Sequence, residues 1–369
     1  MNTMFSRMGA AYGVVRSTFG VTFAPLITVW LFASLRLSVA MGMALDTLVS
    51  SKLRAAVVKR PIVLVGNPRT GTTFLQRFLC EHEVGAGMEL WRMLYPSIVL
   101  QTFLRPLLPV LEKISPARHH STVAHDTSLT SVETDDVAVL FRHFDGFFLY
   151  GFFLAFAEED HRRQFEPETR DNAERDFAWL DALWRRNMVA HNTDRVVAKL
   201  FSLGPRLPRF LKAYPDAAIL YMARDPVEII PSAMSLVTGV LDKRFGFWNL
   251  PEPTRKQYLE RLYLAFVELL ARFESDWSSG KIDRNNVYIV RYDRMMTEFE
   301  TVMDELLRFV GHSPSPAFST AIADQGAKQR AYKSKHGYDL AKFGLNADRI
   351  QADCQAFTRT FLPPLPAPK

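Results

Sequence analysis

The run from Pro61 to Cys80, PIVLVGNPRTGTTFLQRFLC, restricts this chain more than any other stretch. Ile62 to Val65 is a continuous β-branched and Leu run of the kind that forms a strand buried on both faces of a parallel sheet. Gly66 to Gly71 reads as a turn, and Phe74, Leu75, Phe78 and Leu79 then fall on one face of a helix. The spacing Gly66-x-x-x-x-Gly71-Thr72-Thr73 is that of a phosphate-binding loop, where backbone N–H groups and the positive end of a helix dipole cradle an anion. Nucleotide hydrolases carry Lys where this chain has Thr72, and the nearby cation is instead Arg69.

The rest of the chain supplies the sheet that such a loop needs. Arg195 to Phe201 and Ala217 to Arg224 read as two further buried strands, and Val287 to Arg291 as a last one. Amphipathic segments separate them, among them Arg170 to His191, with Phe177, Leu180, Trp184 and Met188 at helical spacing, and Met296 to Gly311. Strands alternating with helices predict an α/β fold, a P-loop-like parallel sheet with helices on both faces. In such sheets a ligand lies beyond the carboxyl ends of the strands, and Gly66, Lys199 and Arg224 all fall at or just past such ends. Gly239 to Pro253 has no periodicity and reads as a flap.

Residues 1–55 read as a hydrophobic helical extension, 56–360 as the catalytic unit and 361–369 as a Pro-rich tail. Ser17 to Leu35 carries no charge over nineteen residues, which meets the length criterion for a membrane span. Pro25 and several Ser and Thr residues dilute it, so a packed helical hairpin and a peripheral or anchored membrane contact both stay open. Lys52, Arg54, Lys59 and Arg60 outweigh Arg7 and Arg16, which would put the catalytic part on the cytoplasmic side. Two cysteines, Cys80 and Cys354, exclude a disulfide framework and a Cys-rich metal site. The net charge of +6 suits a polyanionic ligand or an anionic membrane, but no Lys/Arg block marks nucleic-acid binding.

The segment Pro68-Arg69-Thr70-Gly71-Thr72-Thr73 resembles the 5′-phosphosulfate loop of sulfotransferases that use 3′-phosphoadenosine 5′-phosphosulfate (PAPS), and the chain is similar to their bacterial-type group. A second match is Arg224-Asp225-Pro226-Val227-Glu228-Ile229-Ile230-Pro231-Ser232, an Arg at a strand end with a Ser eight residues later. The resemblance implies that Arg224 and Ser232 hold the 3′-phosphate through charge-assisted hydrogen bonds. It makes Arg69, Thr70, Gly71, Thr72 and Thr73 the cradle of the 5′ end. Tyr292-Asp293-Arg294-Met295 is similar to a structural segment that closes the core in this family. Lys333 and Lys335 match a basic C-terminal segment that closes over the 3′-phosphate.

The departure is at the catalytic base. Cytosolic members carry Lys-x-His where this chain has Lys199-Leu200-Phe201, so the Lys is kept and the His is lost. The resemblance implies Arg69 and Lys199 as the cations on the leaving phosphate, with His125 as the base and Glu133 as its alternative. The expected reaction is sulfuryl transfer from PAPS, without a metal, to a hydroxyl of a small-molecule or lipid acceptor of apolar or aromatic character. The apolar segments beside the site, such as Phe144 to Phe156, suit such an acceptor. The alternatives are a P-loop kinase or NTPase and a membrane-associated nucleotide-binding protein without catalysis.

Overall fold

A computed structural model describes residues 3–114, 128–332 and 339–364 of the 369, without the side chains of Ile114 and Phe165. Its centre is a four-stranded parallel sheet of β1 (Ile62–Val65), β2 (Val197–Lys199), β3 (Ala218–Ala223) and β4 (Val287–Arg291), in the order β2-β1-β3-β4. Every residue of β1, β2 and β3 is buried, as their unbroken apolar runs require of strands covered on both faces.

The two-residue period of the strands sorts these side chains between two cores. Ile62 and Leu64, with Leu220 and Met222, pack against Leu75, Phe78 and Leu79 of the Thr72–Glu81 helix and against Met303 and Leu306 of the Phe299–Val310 helix. Val63 and Val65, with Ile219 and Tyr221, face the larger core, where Phe177, Trp184, Phe266 and Phe273 sit on the helices Ala173–His191 and Glu252–Ser278. The expected arrangement of a parallel sheet between helical layers is the one observed.

Three local expectations change. Ser17 to Leu35 is not one helix, because α1 (Met4–Phe19) closes on Gly20 at φ 69° and α2 (Ala24–Val49) starts with Pro25 in its first turn. Pro25 is therefore a helix start, where a missing N–H costs nothing, and not a break within a helix. The expected flap at Gly239 to Pro253 is mostly ordered helix, since Pro226–Phe245 runs on until Gly246 turns left-handed at φ 67° and Phe247 is fully buried. The expected helix from Met296 to Gly311 is interrupted at Glu298, giving Tyr292–Thr297 and Phe299–Val310, the latter closed by Gly311 as its C-cap.

The N-terminal helices are fastened to the body by buried charge. Arg7 of α1 is buried, donates to the carbonyls of Phe144 (2.8 Å) and His143 (2.9 Å), and pairs with Asp145 at 3.4 Å. Asp46 of α2 is buried too, pairs with Arg186 at 3.0 Å and accepts from the backbone N–H groups of Ile98 and Val99. Ala11 and Val14 of α1 join the same core as the sheet.

Candidate active site

The loop after β1 is shaped by residues that cannot be exchanged freely. Gly66 has φ 138°, and a Cβ there would meet the Met222 carbonyl oxygen at 2.7 Å, so only glycine fits between β1 and β3. Beyond it Arg69 takes a left-handed backbone at φ 75°, a conformation that a long L side chain seldom adopts. The loop is tied from beneath, since the buried Thr70 hydroxyl donates to the Asn67 carbonyl at 2.8 Å and Asn67 Nδ2 donates to the Phe266 carbonyl at 3.0 Å. Gly71, at φ 94°, is the N-cap of the Thr72–Glu81 helix and offers no side-chain cap. The first-turn N–H groups of a helix have no carbonyl partner within it, which makes this end a natural anion seat.

Two other strand ends converge on the loop. Arg224, just past β3, donates from Nη1 to the Arg69 carbonyl at 3.0 Å, and its guanidinium lies over the Tyr292 ring at 3.8 Å from the centroid. The same guanidinium holds Glu228 Oε2 through Nε and Nη2, at 2.9 and 2.7 Å. Asp225 caps the next helix by accepting from the Val227 N–H, with Pro226 at its start, and one face of that helix carries the buried Ser232. Arg69 Nε donates to Ser232 Oγ at 3.0 Å, which joins the loop to the Arg224 helix.

At the end of β2, Lys199 is nearly buried and its Nζ donates to Thr73 Oγ1 at 3.0 Å. Its backbone is pinned by Asp135, which accepts from the Lys199 N–H at 2.9 Å and returns its own N–H to the Lys199 carbonyl at 2.8 Å. Burial pushes the Lys199 ammonium below its ordinary pKa, and the nearby Glu133 carboxylate pulls it partly back. Burial also raises Asp135 to about 6, against hydrogen bonds from the Lys199 amide and the Trp184 indole. Glu133 is buried beside them and pairs with Arg77 at 3.1 Å.

Of the residues singled out from the sequence, Arg69, Thr70, Gly71, Thr72, Thr73, Lys199, Arg224 and Ser232 meet around one loop, with Glu133 on its Lys199 side. His125, Lys333 and Lys335 lie outside the described residues. Tyr332, the last described residue before that basic segment, is close enough to Tyr292 to act on its phenol. Among the described residues, no group of three or more His, Cys, Asp or Glu side chains is arranged to hold a metal ion.

Three participants were not assigned from sequence. Arg77 lies four residues after Thr73, and that spacing alone puts both on one side of the helix. Tyr292 is the first residue past β4, the same strand-end position that singled out Lys199 and Arg224. Asp135 gave no local signal, because its partners Trp184 and Lys199 are 49 and 64 residues away.

Comparisons with known proteins address the family and the fold. The family model described as the sulfotransferase family matches residues 61–315. The omega-hydroxy-beta-dihydromenaquinone-9 sulfotransferase Stf3 of Mycobacterium tuberculosis is 22% identical over 284 residues, spanning 76% of this chain and 70% of that protein. The crystal structure of sulfotransferase STF1 from Mycobacterium tuberculosis superposes with a TM-score of 0.71 at 18% identity, covering 95% of this chain and 91% of the other. Sulfotransferase STF9 from Mycobacterium avium gives 0.66 at 18% identity, covering 88% and 82%. At those identities the two structures speak for the fold, while the family model spans more than two thirds of the chain and takes in the loop, Lys199, Arg224 and Ser232. With a match of that extent over a loop of this shape, the chain belongs to the sulfotransferase family.

Proposed function

We propose that this chain transfers the sulfuryl group of PAPS to a hydroxyl of an apolar, lipid-like acceptor, and that residues 56–360 form the catalytic unit. The observation that carries the reading is the hydrogen bond from Arg69 to Ser232, with Arg224 bonded to the Arg69 carbonyl, because it joins two anion sites into one cationic rim. The residues fit the donor at both ends. Gly71 leaves the first-turn N–H groups of the following helix uncapped for a 5′-phosphosulfate. Arg224 and Ser232 offer a guanidinium and a hydroxyl for a 3′-phosphate.

The donor supplies an activated sulfuryl group, and the chain's own residues hold charge and move a proton. The acceptor oxygen forms a bond to sulfur while the bond from sulfur to the 5′-phosphate oxygen breaks, so adenosine 3′,5′-bisphosphate leaves with the electron pair. Lys199 and Arg69 oppose the charge that grows on that phosphate. The acceptor proton passes to His125, with Glu133 as the alternative. Lys199 is suited to its part by being buried and held against Thr73, the third residue after Thr70 in the cradle.

An apolar acceptor is supported by the surroundings of Lys199. Phe201, two residues on, packs edge-on against Phe147 and Phe148 at 5.5 and 5.3 Å. The Asp136–His143 helix starts beside Lys199, at Asp135, and carries Phe141 to a shallow crevice that Phe32, Leu35, Met93 and Trp179 line together with Arg36 and Arg142. The relative Stf3 is named for a menaquinone derivative, a long apolar molecule with a terminal hydroxyl, and an acceptor of that class suits these walls. The reaction is assigned to the cytoplasm, where PAPS is available.

The test has two parts. Adenosine 3′,5′-bisphosphate should raise the melting temperature where ATP with Mg²⁺ does not, and labelled sulfate should pass from PAPS to long-chain isoprenoid alcohols in preference to small phenols. Stabilisation by ATP–Mg²⁺ alone would restore the kinase reading, and bisphosphate binding without any transfer would favour a nucleotide-binding protein that lacks catalysis.

A further inference from the structure

We propose that this chain docks on anionic lipid bilayers with α2 lying in the plane of the interface, through one apolar face shared by α2 and the helices Ile98–Leu104 and Leu108–Ile114. The inference is independent of the sulfotransfer reading and rests on how α2 is held and what it exposes.

By length and composition α2 could cross a membrane, at 26 residues or roughly 39 Å. Its two charged residues argue against that placement. Arg36 donates from Nε and Nη2 to the Phe141 carbonyl at 3.2 and 2.7 Å, and Asp46 is buried against Arg186 and the start of the Ile98–Leu104 helix. These anchors stand ten residues apart, or roughly 15 Å along the axis, so the helix is fastened lengthwise to the body. A helix held in this way cannot be surrounded by lipid, yet its outer side remains apolar.

That outer side presents Ile27, Trp30, Leu37, Met41 and Leu48, with Trp30 68% and Leu48 74% exposed. Phe103 and Val110 on the two neighbouring helices, and Leu107 in the short turn between them, are likewise exposed. Soluble proteins seldom leave an apolar surface of this extent facing water. The charge pattern selects its occupant. Residues 1–60 contain a single acid, the buried Asp46, against Arg7, Arg16, Arg36, Lys52, Arg54, Lys59 and Arg60. Arg16, Lys52, Arg54 and Lys59 are exposed at the ends of this helical layer, and Arg105 is exposed between the two neighbouring helices. An apolar face with a Trp and a mainly basic surround, whose one acid on the neighbouring helices, Glu112, accepts from the Leu129 N–H, suits the boundary between anionic headgroups and acyl chains better than a protein partner.

The experiment uses the full chain and flotation with vesicles of phosphatidylcholine, alone or mixed with phosphatidylglycerol. We expect recovery with the anionic vesicles, reduced by salt, and a loss of about tenfold or more in the Trp30→Glu, Phe103→Glu double variant. That variant should keep its melting temperature and its affinity for adenosine 3′,5′-bisphosphate, which separates lost docking from lost folding or a lost nucleotide site. Single cysteines at Ile27, Leu37, Leu48 and Phe103 can then carry a fluorophore for depth quenching. Burial raises the native Cys80 and Cys354 thiols to about 12, which leaves the label to the introduced site. Similar shallow depths at all four positions support the in-plane arrangement. A deep Leu37 with Ile27 and Leu48 in water would overturn it in favour of a span. Absence from both vesicle types would overturn it as well, and a stable dimer in that case would give the face to a second copy.

Discussion

Arg69 and Ser232 stand 163 residues apart in sequence, yet Arg69 Nε donates a 3.0 Å hydrogen bond to Ser232 Oγ. The left-handed backbone of Arg69 lets one residue of the loop reach both members of the Arg224–Ser232 pair, with its side chain on Ser232 and its carbonyl on Arg224. Such a conformation costs free energy, on the order of 1–3 kcal/mol, and persists where surrounding contacts enforce it. Here Thr70, Asn67 and Arg224 supply those contacts.

Glu228 occupies part of the Arg224 guanidinium, and its own side chain is more than half exposed. On the proposed reading an incoming 3′-phosphate would compete with this carboxylate. Glu228→Gln should therefore tighten adenosine 3′,5′-bisphosphate by about two- to fivefold at low salt, the range of a solvent-exposed ion pair, with no gain for adenosine 5′-monophosphate. Titration calorimetry with both nucleotides checks it, and unchanged or weaker bisphosphate binding would show that Glu228 is not in competition.

Lys199 is expected to act on the leaving phosphate from its bond to Thr73. Lys199→Ala should lower kcat by roughly 10²–10³-fold while nucleotide affinity changes far less, since the charge it opposes develops during the reaction. A loss confined to KM would assign Lys199 to ground-state binding instead.

For the proton acceptor, His125→Ala should reduce turnover by roughly two to four orders of magnitude with bisphosphate affinity preserved. Glu133→Gln, which also alters the pairing with Arg77, should have the smaller effect on kcat. The reverse order in steady-state assays would move the role to Glu133.

The loop and the sheet were legible because their signals are local: Gly66, Gly71 and Pro68 lie within six residues, and each strand is an unbroken apolar run. Lys199 and Arg224 were found by a topological rule that needs only the strand ends. What escaped was carried by distant contacts. Nothing near Arg7 announces that it will be buried against Phe144, 137 residues on, and the Asp135–Trp184 bond is equally silent in sequence. That Pro25 starts a helix was not legible either, because it depends on Gly20 closing the helix before it.

Asp135 gives a pH test of the platform under Lys199. Its carboxyl is raised from 3.8 to about 6 in the folded chain, mainly by burial, so between these values the folded state keeps a proton that the unfolded state has lost. The stability of the parent relative to Asp135→Asn should therefore fall as pH rises from 3.8 to about 6 and level off above. Thermal melts of both proteins across that range would contradict the account if the difference stayed flat or grew.

The central claim is that the rim reads two phosphates with separate residues, Arg69 at the 5′ end and Arg224 with Ser232 at the 3′ end. The most direct measurement compares adenosine 3′,5′-bisphosphate with adenosine 5′-monophosphate on folded Arg69→Ala and Arg224→Ala proteins. Arg224→Ala should weaken the bisphosphate by about 1.5–3 kcal/mol, roughly ten- to a hundredfold, and leave the monophosphate nearly unchanged, whereas Arg69→Ala should weaken both. Equal losses for the two nucleotides in Arg224→Ala would contradict the assignment and leave the PAPS reading resting on the loop after β1 alone.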